Sequence, residues 1–219
     1  MVRSNKKMES ILGNAELAIS NALVNEEVKT MLMEYNYNDQ RLNEGSTLQK
    51  KAKEFYQSYI KEHGQQIEST SQLEKTYEEC NPLYVEHITL SRLALRNEPA
   101  KKSKFALDGE RKKDLYGWIE QAELFYDNGL ADEELSNKLL RYNLTREKLE
   151  KGRELVLKVK KANQTQEKEK SEAQESRRQR DATFDVLIDW ISEFTTVARF
   201  ACASKPELLE KLGIFVKSD

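Results

Sequence analysis

Residues 145–204 read TREKLEKGRELVLKVKKANQTQEKEKSEAQESRRQRDATFDVLIDWISEFTTVARFACAS. This stretch of 60 residues holds one glycine, Gly152, and no proline. An unbroken α-helix of that length would extend about 90 Å at 1.5 Å per residue. A 3-4-3-4 ladder runs through it from Leu149 and Gly152 to Ala198 and Ala201, the spacing of a coiled-coil seam. Its outer rungs are apolar: Val156 and Val159 at one end, Phe184, Leu187, Ile191 and Phe194 at the other. Its middle rungs are Asn163, Gln166, Lys170, Ala173, Arg177 and Arg180, so the centre is polar. Two arrangements fit. Either the helix is continuous with a thin polar waist, or it folds back near Ser171. The Glu, Lys, Gln and Ala that fill 164–176 favour continuity, because they are strong helix formers.

The same ladder recurs earlier, through Leu42, Gly45, Ala52, Tyr56, Tyr59, His63, Gln66, Leu73, Tyr77, Cys80 and Tyr84, with the alternative fold-back point at Gly64. Displacing the chain against itself by 107 residues aligns 8–107 on 115–214 without a gap. Of those 100 positions 28 are identical, where this composition gives roughly 7 by chance. Ala15-Glu-Leu17 falls on Ala122-Glu-Leu124, Tyr35-Asn36 on Tyr142-Asn143, and Pro99 on Pro206. The reading is a tandem repeat, with each copy holding two short helices and one long one. Residues 8–22 and 112–128 carry apolar groups at helical spacing. Asn25 and Asp132 are expected N-caps, with Glu26-Glu27 and Glu133-Glu134 facing the positive end of the next helix. Asn36 and Asn143 suit a left-handed C-terminal position, and Asn38 and Thr145 then cap the long helices. Tyr35 and Tyr142 are expected to pack the helix corner.

Eight glycines and three prolines in 219 residues leave too few turns for a β-sandwich or barrel. The expected fold is therefore all-α: a single elongated domain over 1–219, made of repeats 8–107 and 115–214 related by an approximate two-fold. Thirty-six basic against 38 acidic residues give a net charge of −2, with no global drive toward nucleic acid or an anionic membrane. The basic start lacks the apolar run of a secretory signal, and no window has the roughly 18 apolar residues of a membrane span. The cytoplasm is the expected compartment. Cys80 and Cys202 sit on apolar stripes and read as small packed hydrophobes.

Converging reactive groups are scarce. The two histidines, His63 and His87, lie on the ladder, and the sequence has no His-Glu-x-x-His, no Cys-x-x-Cys and no glycine-rich phosphate loop. Catalytic residues, metal ligands and cofactors are therefore expected to be absent. Adjacent acids such as Glu133-Glu134 point about 100° apart on a helix and do not flank one bond. Trp118, Trp190, Tyr84 and Phe184 read as bundle core.

One local asymmetry stands out. Residues 141–180 hold 13 basic and 7 acidic residues, while the corresponding 34–73 hold 5 and 6. Lys158, Lys160, Lys161, Lys168, Lys170, Arg177, Arg178 and Arg180 could contact a phosphate backbone. Interleaved Glu167, Glu169, Glu172 and Glu175 argue instead for a solvated face, and no aromatic residue lies between Tyr142 and Phe184 to stack on bases. A second alternative is a small ligand or ion at the polar waist, beside His63, Gln66, Lys170 and Arg177.

The segments Leu139-Leu-Arg-Tyr-Asn-Leu-Thr-Arg-Glu-Lys-Leu149-Glu-Lys-Gly152 and Pro206-Glu-Leu-Leu-Glu-Lys-Leu-Gly-Ile214 resemble motifs of a family of bacterial helical proteins of similar length, internally duplicated and without an assigned reaction. The resemblance implies an all-helical tandem fold and transfers no functional residue. The expected function is a non-enzymatic structural or protein-interaction bundle. Its partner is another protein or a second copy of the chain, with nucleic acid and membrane disfavoured.

Overall fold

Capping residues set several of the helix boundaries. In a computed structural model that describes residues 5–215, α1 (Asn5–Val24) ends at Asn25, whose side chain accepts from the backbone N–H groups of Glu27 and Val28 at 3.1 Å to open α2 (Glu26–Met33). Asn36 takes the left-handed conformation at φ 62°, and Asn38 accepts from the Arg41 N–H to start α3 (Asp39–Ala94). Proline opens α4 (Pro99–Lys104), and Ala106 reverses the chain at φ 52°. The second half repeats this order. After α5 (Leu115–Ala131), Asp132 accepts from the Leu135 N–H to open α6 (Glu133–Leu139). A 3-10 turn (Leu140–Tyr142) leads to Asn143 at φ 55°, and Thr145 caps α7 (Arg146–Ala201). Pro206 precedes α8 (Glu207–Lys211), and Gly213 turns at φ 68°. Among the described residues the fold is these eight α-helices and the 3-10 turn, with no strand. Residues 1–4, where the basic start begins, and 216–219 lie outside the described range.

Both long helices are continuous, each 56 residues, so neither folds back at Gly64 or Ser171. α3 runs through Pro82 despite the lost N–H. No helix among the described residues is long and apolar enough to cross a membrane.

The chain divides into two compact units. One gathers the described residues up to His63 with those from Glu172 onward; the other is Gly64–Ser171. Each unit takes short helices and a long-helix segment from both halves of the sequence: α1, α2 and α8 lie in the first unit, α4, α5 and α6 in the second. In the first, Ala18, Val28, Leu32, Tyr37 and Leu42 pack with Phe194, Ala198 and Cys202, and Met8, Ala15 and Ile19 with Phe184 and Leu187. In the second, Tyr84, Ile88, Leu95 and Phe105 pack with Trp118, Phe125, Tyr126, Leu139 and Leu149. Trp118, Tyr84 and Phe184 are fully buried as expected, Trp190 is half-buried, and both cysteines are buried.

Two expectations need correction. Tyr35 is 46 % exposed and Tyr142 half-buried; the corner is packed by Tyr37 and Leu144, two residues on, because the left-handed asparagine between them turns the chain inward. At the middle of the ladder the buried rung is Ser176, not Arg177, and on α3 Thr76 is buried while Tyr77 is half-buried. Ala173 and Arg180 on α7, and Leu73 and Cys80 on α3, stay buried on the ladder, so the shift is confined to one rung, where a compact hydroxyl side chain is buried in place of the long charged Arg177 or the large Tyr77.

Candidate functional site

Seven of the eight residues of the basic stretch are ion-paired. Lys158 pairs with Glu154 at 3.0 Å, Lys160 with Glu123 at 2.8 Å, Lys168 with Glu169 at 3.8 Å and Lys170 with Glu167 at 3.4 Å. Arg177 pairs with Asp181 at 3.9 Å and Arg178 with Glu175 at 3.6 Å. Arg180 departs from its expected role as a phosphate contact: it is buried, lies 3.9 Å over the Tyr59 ring, and donates to Asp181 Oδ1 from both Nε and Nη2. The aromatic face and the stem's burial draw it inward. Lys161 alone of the eight has no carboxylate within ion-pair distance among the described residues.

Three of the four waist residues have local side-chain partners. His63 is exposed and stacks on Tyr59, one turn back, with ring centroids 5.5 Å apart. Gln66 is half-buried, and its main-chain carbonyl accepts from the hydroxyls of Ser69 and Thr70. Lys170 and Arg177 hold the ion pairs just given.

His87 is the other histidine and is fully packed. It and Tyr126 form a buried pair, with 3.0 Å between Nδ1 and the phenol oxygen. Burial pushes the imidazole down to about 4, so it is neutral near pH 7 and the phenol donates to Nδ1. Burial also holds the Tyr126 phenol above its ordinary value and raises Tyr84 and Cys80 to about 12, so both stay protonated and the thiol is a poor nucleophile. The approach of Tyr126 to the helix requires Gly152, where any Cβ would overlap the phenol ring. Gly45 seats the indole of Trp190 in the other unit by the same means.

A polar hollow that sequence reasoning missed lies within Gly64–Ser171, between α3 and α7. It is a groove of about 330 Å³. Its α3 wall is Ser69, Gln72, Thr76 and Glu79; Lys158, Lys161 and Thr165 of α7 face them across Ala162. It continues into a hollow of about 270 Å³ bordered by Gln65, Glu68 and Glu169. The groove opens where the apolar core gives out, beyond Leu73 and Ala162. A sequence signal existed: the residue 107 positions before Ala162 is Phe55, and the loss of a ring leaves space.

Comparison with protein-family models, with curated proteins and with solved structures finds no match to this chain.

Proposed function

We propose that the chain is a non-enzymatic helical bundle that presents apolar side chains to another protein, and that it arose by duplication of a helical unit of the kind seen in the bacterial family its motifs resemble. The correspondence of local geometry supports the duplication. α3 and α7 begin and end 107 residues apart, as do the left-handed Asn36 and Asn143 and the reversals at Ala106 and Gly213.

One observation carries the interaction role. Three large apolar residues are exposed in each half at matching positions: Leu17 and Leu124 at 46 and 47 %, Met33 and Leu140 at 57 and 55 %, Leu93 and Phe200 at 47 and 67 %. A single exposed leucine needs no account. Positions that change identity between halves, from Met to Leu or Leu to Phe, yet remain large and apolar in water point to contact with something outside the chain. Among the recurring polar residues, Asn36 and Asn143 make the left-handed turns and Glu26-Glu27 and Glu133-Glu134 fill first helical turns, which points to duplicated packing geometry.

The test is crosslinking in the native cell from Leu93 and Phe200 replaced by a photoreactive residue, with the captured protein identified by mass spectrometry. With the photoreactive residue kept at position 93 or 200, L17E/L124E and M33E/L140E variants should keep their helical circular dichroism and lose the captured protein. Turnover of any substrate from a broad panel, abolished by one side-chain change, would overturn the proposal. The ion pairs along 158–180 weigh against nucleic acid as the partner. Mobility shifts in a low-salt titration against DNA and RNA check that reading.

A further inference from the structure

The groove between α3 and α7 has a one-sided hydrogen-bonding character. Ser69 donates its hydroxyl proton to the Gln66 carbonyl at 3.0 Å, Thr165 to the Lys161 carbonyl at 3.1 Å, and Thr76 to the Gln72 carbonyl at 2.6 Å. With those protons committed to the helix backbone, the Ser69 and Thr165 oxygens turn lone pairs toward the groove, and Glu79 adds a carboxylate. The principal donors facing them are ammonium groups. Lys158 shares its charge with Glu154, whereas Lys161 has no partner carboxylate among the described residues. The lining therefore asks for a molecule that is anionic at one end and offers hydroxyl protons at the other.

We infer that this groove binds a small anionic polyol, its anionic group on Lys161 and its hydroxyls on Ser69, Thr165 and Glu79. A volume of about 330 Å³ lies at the small end of ligand sites, which suits one sugar-sized molecule. Phosphate esters and sugar acids share this chemistry.

The other half of the sequence supplies the substitutions that test it. Three of the four α3-wall residues recur 107 residues later as Ser176, Gln179 and Thr183, with Val186 in place of Glu79, and Lys161 and Ala162 stand where the first half carries Glu54 and Phe55. Lys161→Glu and Ala162→Phe thus install residues that this chain already accommodates at the corresponding positions.

Full-length protein is titrated calorimetrically with glucose 6-phosphate and with gluconate, and with glucose and inorganic phosphate alone. At least one of the two anionic polyols binds at one site, and each of the two simple compounds binds about tenfold more weakly or worse. Which of the two binds separates a phosphate ester from a carboxylate as the anchor. K161E and A162F each weaken binding about tenfold or more, the loss expected for one hydrogen-bonded charge or a filled site. K151A, at an exposed lysine outside the groove, leaves it unchanged. Should A162F fail to fold, K161E and T165V carry the same test, since both change only the groove wall. Silence toward both anionic polyols overturns the inference, as does equal affinity for inorganic phosphate or binding that survives K161E. This site is independent of the exposed apolar positions, so failure to capture a protein partner leaves it standing.

Discussion

Gly152 and Gly13 show how one residue type serves opposite ends at the residue scale. A methyl at Gly152 would overlap the Tyr126 ring, which is buried and tied to His87, so Gly152→Ala should destabilise the fold by about 1–3 kcal/mol. Gly13 faces open space inside α1, and Gly13→Ala should stabilise by about 0.5–1 kcal/mol through helix propensity alone. Urea unfolding monitored by circular dichroism reads both. His87 carries the acid sensitivity. Its folded value is depressed, chiefly by desolvation, from 6.5 to about 4, so between those values the unfolded chain binds the extra proton. The stability this neutral histidine contributes is complete above pH 6.5 and declines as pH falls toward 4, by about 3 kcal/mol in all. In His87→Phe the unfolding midpoint should fall less steeply between pH 7 and pH 4.5 than in the parent, while stability at pH 7 drops because the Tyr126 hydroxyl loses its acceptor. Equal slopes in the two proteins would show that other groups set the acid response.

At the scale of the element, capping residues decide where the chain turns. Asn25 accepts two backbone N–H groups, and Asn25→Ala should cost about 1 kcal/mol in a thermal or urea melt. Asn36 and Asn143 sit at φ 62° and 55°, where an alanine pays the left-handed penalty of about 1 kcal/mol and a glycine does not. Asn36→Ala and Asn143→Ala should therefore lower stability, and Asn36→Gly and Asn143→Gly should match or exceed the parent. These sites were legible in the sequence because a cap is local: the residue type, its neighbours and the loss of periodicity all lie within five positions. The continuity of α7 was legible for a related reason, since strong helix formers fill 164–176; that of α3 was less so, because Gly64 and Ser69-Thr70-Ser71 interrupt its centre. The corner was not. Tyr35 and Tyr37 differ in no local propensity, and only the turn at Asn36 decides which of them reaches the core.

The pairing of segments belongs to the whole molecule. Because each unit's core draws on both halves of the sequence, cutting the exposed Lys112–Lys113 segment should leave two fragments that stay together. Trypsin-nicked protein should elute from a sizing column at the position of the intact chain and separate only in denaturant. Early release of either fragment in buffer would contradict the mixed cores. Phe194 illustrates what holds them: it stacks on Trp190 at 5.4 Å and packs with Tyr37 from the opposite end of the sequence.

Sequence alone determined the helical class, the caps and the 107-residue correspondence, because helix periodicity and capping are set by neighbours along the chain. Tertiary structure decided which side of each long helix is buried at its polar centre, where Ser176 and Thr76 are buried in place of the ladder residues Arg177 and Tyr77. It also decided that Arg180 turns inward while Lys161 does not, and that Ala162 leaves a groove rather than a closed seam. Those outcomes depend on the partner helix across the gap, and a ladder read along one strand of sequence carries no information about the width of the space that faces it.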